Sequence, residues 1–491
     1  MKSEDILREE LDPAREVDTS KLKEPIVKEP PHGNPLLSHR FGADPYAIVF
    51  KDRVYIYSTN DTLKYDDEGN VIDNNYGHIH SITVASSQDL VNWTDHGAIQ
   101  VAGEEGAAPW ATQSWAPAAA HKVIDGKDKF FLYFSNNASG IGVLTSDSPI
   151  GPWKDPIKQP LISRDTPGVK GVTWLFDPAV LVDDDGKGYI YFGGGIPEGE
   201  YEMPNTARVM ELDKDMISVV GEAEPIQAPF MFEDAGINKV GSKYYYSYCS
   251  NFYNGERPVG SPGAGEIAYM ISDHPKGPWT YQSTILKNPA QFFQVGGNNH
   301  HAMFRFKERW YIAYHAQTLS KAMGVPKGYR STHLNRIFFN DDGTIQEVHA
   351  DYQGVKKVSN LDPYQPVNAV TYAWQAGIQV SECTVYYNRF VVGSITKGSW
   401  IGLSSVDFEA GATQFEAVVS SEKEGGMIEI RLDHQMGETI GWIDIPNTGG
   451  KTLYKSISRT VKRITGVHDV YFIFGGVDDQ DLFTFLSWQF R

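Results

Sequence analysis

Cysteine is scarce in this 491-residue chain, and the two that occur, Cys249 and Cys383, lie far apart in the sequence. One such pair is too sparse for a disulfide framework, and its spacing does not match a zinc site. Long apolar runs are also missing, since no stretch approaches the ~20 residues that span a bilayer. Helical periodicity is nearly absent, so strand patterns are the main structural signal.

Basic residues are outnumbered, because 44 Lys and Arg stand against 62 Asp and Glu, for a formal net charge of −18. This excess argues against a nucleic acid partner, whose phosphates favour a basic surface. It is compatible with a neutral polysaccharide substrate. The N-terminal residues are charged and lack the apolar core of a signal peptide. We therefore expect a cytoplasmic protein, or a secreted one whose signal has been removed.

Five segments within the first 355 residues share one plan: an apolar run, a turn with Gly or charged residues, and a second apolar run rich in aromatics. Several of them are followed by two further strand candidates. Four strands per unit, repeated five times, predict a five-bladed β-propeller, in which the starts of the innermost strands converge on the axial channel. The segments begin at Asp44, Trp115, Asp177, Glu233 and His300.

The pattern changes after about residue 360, where two prolines mark a linker. The remaining residues form short alternating runs whose number and turn spacing suit a β-sandwich. We therefore predict an all-β chain. Its predicted parts are an N-terminal extension at 1–31, the propeller at 32–358, a linker at 359–366 and the sandwich at 367–491.

Three acidic residues, Asp44, Asp177 and Glu233, stand at the beginning of repeated units. Carboxylates at one place in several copies of a unit would meet on the common axis, and converging carboxylates perform glycoside hydrolysis. Asp before Pro is also common in turns, so Asp44 and Asp177 alone could be turn residues. Asp234 directly follows Glu233, and alignment of the turns does not decide between them.

Several ordered motifs resemble those of glycoside hydrolase family 43, over about residues 32–355. The strand-leading motifs are Ala43-Asp44-Pro45, Trp115-Ala116-Pro117, Phe176-Asp177-Pro178 and Phe232-Glu233. Three others, Asn298-Asn299-His300-His301, Tyr314-His315-Ala316-Gln317 and Gly328-Tyr329-Arg330, are similar to the branch containing arabinoxylan arabinofuranohydrolases. More weakly, Trp374-Gln375-Ala376 and Trp488-Gln489-Phe490 resemble a family 6 carbohydrate-binding module.

The resemblance implies a reaction with inversion at the anomeric carbon. In that mechanism a base activates water and an acid protonates the leaving oxygen, across a gap of ~6.5–9.5 Å between the carboxyls. By resemblance Asp44 is the base, Glu233 is the acid, and Asp177 orients the acid and raises its pKa. A second carboxylate nearby does disfavour ionisation of an acid and keeps it protonated near neutral pH.

The resemblance also implies residues that contact the sugar. Arg330 corresponds to a position that contacts sugar hydroxyls or the catalytic carboxylates, although it could be an ordinary surface arginine. Trp115 and Trp174 are expected to wall the pocket, although packing within the blades would explain either one. Phe232 is expected to flank the sugar.

The fifth unit opens with two histidines, His300 and His301, and the hairpin register places His300 where Asp44 stands in the first unit. The resemblance implies a histidine at the propeller centre beside a hydrated calcium ion. An axis ringed by carboxylates suits such an ion, because calcium prefers oxygen ligands. We therefore expect calcium on the axis and no organic cofactor. The alternative is that one histidine only donates a hydrogen bond in the pocket.

The C-terminal segment departs from the module that it resembles. Such modules usually bind calcium through acidic residues on their first and last strands, where this chain has Val370 and Leu486. Neither side chain can bind calcium. The asparagine usual near the sugar cleft is also missing, with Asp481 and Thr484 nearby. We therefore expect a structural module, with sugar capture as the alternative.

Taken as a whole, the resemblance implies an exo-acting, inverting α-L-arabinofuranosidase that acts on the side chains of arabinoxylan or its oligosaccharides. A β-xylosidase, or an enzyme with both activities, is the nearest alternative, and an endo-arabinanase is more distant. A non-catalytic sugar-binding propeller is a different class of function. The presence of all three carboxylates argues against it.

Overall fold

The computed structural model describes residues 16–409, 411–476 and 481–491, and there the chain is almost entirely β-structure. The two α-helices in these ranges are short, α1 at Ala290–Phe293 and α2 at Thr318–Met323. No helix within the described ranges is long and apolar enough to cross a membrane. Residues 1–15 of the predicted extension 1–31 lie outside the described residues.

Five antiparallel sheets follow one another between residues 43 and 337. Strands β1 (Ala43–Phe50) and β2 (Arg53–Thr59), then a small hairpin of β3 (Lys64–Tyr65) and β4 (Val71–Ile72), then β5 (Ser81–Ser87) and β6 (Trp93–Gln100) make up the first region. The first sheet has the order β1-β2-β5-β6. The second sheet consists of β7 (Trp115–Ile124), β8 (Lys127–Ser135) and β9 (Ile141–Ser146).

The remaining three sheets repeat the same up-and-down order. The third contains β10 (Ala179–Val182), β11 (Gly188–Phe192), β12 (Ala207–Leu212) and β13 (Val219–Ile226). The fourth contains β14 (Met231–Val240), β15 (Lys243–Ser250), β16 (Ile267–Ser272) and β17 (Thr280–Leu286). The fifth contains β18 (His301–Phe306), β19 (Arg309–Ala316) and β20 (Ser331–Ile337).

The first strands of the five sheets form a closed ring. Strand β1 contacts β7, β7 contacts β10, β10 contacts β14, β14 contacts β18, and β18 contacts β1 again. A ring of five sheets whose innermost strands surround one axis is a five-bladed β-propeller, which confirms the predicted architecture.

Tyrosines on the second strand of a blade tie neighbouring blades together. The fully buried Tyr57, Tyr133 and Tyr191 occupy equivalent positions in the first three blades. Their hydroxyls donate to the carbonyl oxygens of Pro149, Met216 and Pro275, at 2.6, 2.7 and 2.5 Å. Each acceptor lies in the blade that follows, so the tyrosine-rich runs of the sequence serve both the core and the blade-to-blade contact.

A β-bulge interrupts the start of several innermost strands, at Ala43, Trp115 and Glu233. The residues with a left-handed backbone at the corresponding places are Asp44 (φ 47°), Ala116 (φ 37°), Asp177 (φ 50°) and Asp234 (φ 65°). Asp234, and not Glu233, therefore occupies the position of Asp44. The prediction that Asp44, Asp177 and Glu233 share one place is wrong for Glu233, because sequence spacing does not show which of two adjacent residues a bulge displaces.

The last part of the chain forms two packed antiparallel sheets. The strands of these sheets are β21 (Val367–Asn368), β23 (Trp374–Ala376), β24 (Gln379–Glu382), β25 (Phe390–Gly393), β26 (Trp400–Asp407), β27 (Ala412–Ser420), β28 (Gly426–Leu432), β29 (Thr439–Ile445), β30 (Lys455–Ile464), β31 (Val467–Gly476) and β32 (Thr484–Phe490). The short strand β22 (Thr371–Tyr372) pairs instead with Trp93 and Thr94 of β6. One sheet has the order β24-β25-β32-β27-β30 and the other β23-β26-β31-β28-β29. Buried aromatic side chains fill the space between them, which confirms the predicted sandwich.

The two positions singled out for missing calcium ligands are apolar and buried. Val370 lies in the sandwich core at 2% exposure, and Leu486 packs in a small cluster with Cys383 and Val391. The hydroxyl of Thr484 pairs with that of Ser420 at 2.9 Å. Val370 and Leu486 therefore contribute packing where the related modules place acidic ligands.

The chain divides into two compact units that alternate along the sequence. The propeller unit comprises Arg40–Val84 and Ala98–Gly354. The C-terminal unit comprises the described residues up to His39, Ala85–Gly97 and the described residues of Val355–Arg491. Part of the segment predicted as an N-terminal extension thus belongs to the same unit as the sandwich.

Hydrogen bonds fix this N-terminal segment on the sandwich. The indole of Trp400 donates to the carbonyl of Lys23, and the indole of Trp374 donates to that of His32, each at 2.9 Å. Both indoles are buried, so each would carry an unsatisfied donor if the N-terminal segment were absent.

A buried ion pair continues this attachment inside the C-terminal unit. Glu429 accepts the backbone N–H of Val17 at 2.8 Å, the Nε of Arg431 at 2.7 Å and the hydroxyl of Thr439 at 2.6 Å. Arg431 in turn donates to the carbonyl of Val17 at 2.9 Å. The side chains of Glu429 and Arg431 are 0% and 2% exposed, so water cannot stabilise either charge and each is stabilised by the other.

We predict that Glu429→Ala strongly destabilises the C-terminal unit. The change leaves the Arg431 guanidinium buried without its counter-charge, a loss that typically costs ~3–5 kcal/mol. Thermal unfolding should show a lower transition temperature for this unit. The control is Glu438→Ala, which removes an exposed pair with Lys462 and should change the transition little. Equal stability of the two variants would contradict the prediction.

Candidate active site

A pocket opens where the innermost strands of the propeller begin. It contains all three predicted acids, Asp44, Asp177 and Glu233, together with Arg330, and its volume is about 120 Å³. The complete lining is Asp44, Tyr76, Trp115, Ala116, Phe176, Asp177, Glu233, Asn298, His300 and Arg330.

Four of the lining residues were not singled out from the sequence: Tyr76, Ala116, Phe176 and Asn298. Phe176 precedes Asp177 as Trp115 precedes Ala116, so the repeat itself carried a signal for it. Asn298 lies inside the motif that ends in the histidine pair, which also pointed to its position. Tyr76 lies in a loop outside every repeated run, and the sequence held no signal for it.

Hydrogen bonds between adjacent blades hold the left-handed residues in place. In each case a backbone N–H at the start of one innermost strand donates to a side chain of the neighbouring blade. The donor–acceptor pairs are Ala116 to Thr59 Oγ1 (2.8 Å), Asp177 to Ser135 Oγ (2.8 Å), Asp234 to Asp177 Oδ2 (2.9 Å), His301 to Asp234 Oδ2 (3.2 Å) and Asp44 to His315 Nδ1 (3.1 Å).

Asp44 is held by donors on both carboxylate oxygens. The Thr59 hydroxyl donates to Oδ2 at 2.7 Å, and Nη1 of Arg330 donates to Oδ1 at 2.9 Å. Burial alone would raise the pKa of Asp44, but the charge of Arg330, together with His315 and His300, outweighs burial and holds the pKa well below its usual range. Asp44 is therefore a carboxylate at neutral pH.

Glu233 has the opposite surroundings. Its side chain is buried, and its Oε1 has no hydrogen-bond partner among the described residues. Burial raises the pKa of Glu233 well above its ordinary value, and the negative charges of Asp177 and Asp44 raise it further. The pKa of Asp177 is also raised, first by burial and then by Asp44. Glu233 can therefore hold a proton beside an ionised Asp44.

Asp234, the other candidate for the acid, faces away from the pocket. It is fully buried, is not among the lining residues, and pairs with Nδ1 of His301. Burial raises the pKa of Asp234 to about 8. Its position shows that Asp234 supports the histidine pair, which leaves Glu233 as the acidic side chain of the fourth blade that faces the pocket.

The two histidines have different surroundings. His301 is engaged at both ring nitrogens, by Asp234 at Nδ1 and by the Ser247 hydroxyl at Nε2 (2.7 Å). His300 lines the pocket, and its Nδ1 lies 3.6 Å from Oδ1 of Asp44 and 3.8 Å from Oδ2 of Asp177. Of the predicted pair, only His300 therefore presents a ring nitrogen beside the acids on the axis.

The donor set suits a cation that is coordinated mainly by water. Within the described ranges, no group of three or more His, Cys, Asp or Glu side chains could hold a metal directly. His300 nevertheless stands beside Asp44 and Asp177, and negative charge at these carboxyl groups would attract a hydrated cation such as calcium. The residues thus fit an ion held by His300 and water, and they do not fit a cage of protein ligands.

Trp174 and Phe232 lie beside the pocket and not in its lining. The ring of Trp174 contacts those of Phe176 and Phe232, with centroids 5.3 and 5.2 Å apart, and it is half-buried. These two residues support Phe176, which lines the pocket directly. Trp115 does line it, and its indole donates to the Tyr76 carbonyl at 2.9 Å.

Known proteins with similar sequences and structures share this architecture. A curated arabinoxylan arabinofuranohydrolase of Bacillus subtilis (strain 168) is 52% identical over 482 residues, which cover 95% of this chain and 93% of that protein. One of Paenibacillus polymyxa is 50% identical over 481 residues, covering 95% of this chain and 75% of that protein.

The solved structures include a glycoside hydrolase family 43 arabinoxylan arabinofuranohydrolase from Bacillus subtilis in complex with cellotetraose. It superposes with a TM-score of 0.93 at 50% identity, over 96% of this chain and 100% of that one. Residues 32–345 match the glycosyl hydrolases family 43, and residues 368–491 match the carbohydrate binding module (family 6). The chain belongs to glycoside hydrolase family 43 and carries a C-terminal family 6 carbohydrate-binding module.

Proposed function

We propose that this protein is an exo-acting, inverting α-L-arabinofuranosidase that removes arabinose side chains from arabinoxylan or its oligosaccharides. The proposal rests on family membership, on the two curated relatives that are arabinoxylan arabinofuranohydrolases, and on the geometry of the pocket. A small pocket at one end of the propeller axis suits a single sugar unit at the end of a branch.

The observation that carries the proposal is the contrast between Asp44 and Glu233. Asp44 accepts hydrogen bonds from a cation and a hydroxyl, as an ionised base should. Glu233 is buried and its Oε1 has no hydrogen-bond partner among the described residues, as expected of a protonated acid whose proton is available to a substrate oxygen. Two carboxyl groups with opposed protonation in one pocket are the arrangement that acid–base hydrolysis of a glycoside requires.

In the proposed reaction the two carboxyl groups move two protons. Asp44 takes a proton from a water molecule, whose oxygen forms a bond to the anomeric carbon as the bond to the leaving oxygen breaks. Glu233 gives its proton to that leaving oxygen. Asp177, whose Oδ2 is fixed by the backbone N–H of Asp234, keeps a carboxyl group near Glu233 and so maintains its raised pKa.

We predict that Asp44→Ala and Glu233→Ala each reduce kcat by about 10²–10⁴-fold, since each removes a proton-transfer group. The assay is hydrolysis of nitrophenyl α-L-arabinofuranoside, with circular dichroism to check folding. Asp183→Asn is a suitable control, because Asp183 pairs with Lys239 outside the pocket lining. Near-normal turnover in either alanine variant would remove that residue from its assigned role.

We predict that Asp177→Asn moves the basic limb of the pH profile to lower pH. The charge of Asp177 raises the pKa of Glu233, so its removal lowers that pKa, and the acid then loses its proton at a lower pH. The measurement is kcat/KM against pH for the wild type and the variant. A basic limb that stays in place or moves upward would contradict the role given to Asp177.

We also propose that a calcium ion occupies the axis beside His300, coordinated mainly by water. Its positive charge would offset part of the acidic charge around it. His300→Ala should weaken calcium binding by at least about tenfold in calorimetry of chelator-treated protein, because the protein supplies few other ligands. If the wild type binds calcium no more tightly than the His300→Ala variant, the proposed calcium site beside His300 is contradicted.

A further inference from the structure

The strongest unassigned feature of the pocket is Asp61, a buried carboxylate that does not line it. We infer that Asp61 is a positioning residue, which holds Arg330 so that the guanidinium gives only one hydrogen bond to Asp44. The inference rests on the proposed role of Asp44 as the base. It adds a residue that acts on the base through a second side chain.

Asp61 binds Arg330 through three hydrogen bonds. Its Oδ2 accepts from the backbone N–H of Arg330 at 3.0 Å and from Nε at 2.9 Å, and its Oδ1 accepts from Nη2 at 3.0 Å. The two side-chain bonds form the bidentate fork that guanidinium and carboxylate groups prefer. Asp61 therefore occupies the Nε–Nη2 edge of the guanidinium, and Asp44 meets Nη1.

The remaining contacts of Arg330 show what the fork achieves. Nη1 donates to Oδ1 of Asp44 at 2.9 Å, and the guanidinium carbon lies 4.9 Å from the centre of the Tyr76 ring. The guanidinium group is thus fixed within its own plane by Asp61 and perpendicular to that plane by the ring of Tyr76. Arg330 is 4% exposed, so water cannot replace either partner at low cost.

Asp61 also belongs to a three-residue segment that fixes Asp44 from two sides. Thr59 ends β2 and donates directly to Oδ2 of Asp44 at 2.7 Å. The backbone N–H of Asp61 donates to the carbonyl of Thr59 at 3.1 Å, which sets the spacing of the two side chains. One oxygen of Asp44 is therefore held directly by this segment, and the other is held through Arg330.

Without Asp61, the guanidinium would be free to turn its fork towards Asp44. A bidentate bond with Arg330 is stronger than the single bond now present, and it would engage both oxygens of the base. Oδ2 of Asp44 already accepts one hydrogen bond from Thr59, so a second one from the guanidinium would occupy the lone pair that must accept the proton of water. Asp61 thus keeps the base charged and oriented while leaving it able to react.

The first test is the kinetics of Asp61→Asn, which preserves shape and removes the charge. Both nitrophenyl α-L-arabinofuranoside and nitrophenyl β-D-xyloside are assayed, and the variant is compared on whichever the wild type hydrolyses. We expect kcat to fall by about 10–100-fold with KM changed less than about threefold, because the loss is in alignment. Asp183→Asn should leave kcat within about twofold. A kcat for Asp61→Asn within twofold of wild type overturns the inference.

A double-mutant comparison separates positioning from simple structural support. If Asp61 acts only through Arg330, then adding Asp61→Asn to Arg330→Gln lowers kcat/KM no further than about twofold. Losses that multiply overturn the inference. Arg330→Lys provides a second variant should Asp61→Asn unfold, because a lysine cannot form the planar two-donor fork with Asp61 and is expected to lose kcat to a similar degree.

A crystal structure of Asp61→Asn tests the inference without any substrate. We expect the single contact between Nη1 of Arg330 and Oδ1 of Asp44 to be lost or replaced by a bidentate pair. An unchanged Arg330 overturns the inference, even if the enzyme is an arabinofuranosidase. A wild type inactive on the arabinofuranoside would instead count against the proposed function and leave this structural outcome decisive.

Discussion

The propeller depends on satisfying a set of buried backbone N–H groups where its innermost strands begin, four of them on left-handed residues. In the first, second and fourth blades a bulge interrupts the strand pairing there, and a buried donor without a partner is costly. The neighbouring blade supplies the acceptor each time. Thr59 and Ser135 do so with hydroxyls, at equivalent ends of their second strands.

Two carboxylates enter this ring where the hydroxyl position is not available. The third blade has Gly193 at the position of Thr59, and Asp177 accepts the N–H of Asp234 instead. The fourth blade has Cys249 there, and Asp234 accepts the N–H of His301. Asp177, which lines the pocket, and Asp234, which faces away from it, therefore also complete the ring. Some of the acidic residues near the axis are thus required by the fold, and the backbone N–H groups that they accept help to stabilise the negative charge there.

The sequence predicted the fold and most of the pocket, because the number of residues between the hairpin turn and the start of the innermost strand is nearly constant among the repeats. Counting back from a turn gives Asp44, Asp177 and the histidine pair correctly. It cannot distinguish Glu233 from Asp234, since the bulge adds a residue that no local pattern marks. The role of Asp61 could not be predicted from the sequence either. Its partner Arg330 lies 269 residues away, and a lone aspartate after a strand looks like a turn residue.

The C-terminal unit illustrates a limit of reading domains as continuous segments. Family matches end at residue 345 and resume at 368, which favours a simple division at the predicted linker 359–366. The unit itself also contains Ala85–Gly97, where the Asn92 side chain donates to the carbonyl of Ser404 at 2.8 Å and accepts its N–H at 2.8 Å. A chain cut at the linker would leave these groups unsatisfied, along with the buried indoles of Trp374 and Trp400. The module is therefore complete only when both ends of the chain and one loop of the first blade are present, and its stability is a property of the whole protein.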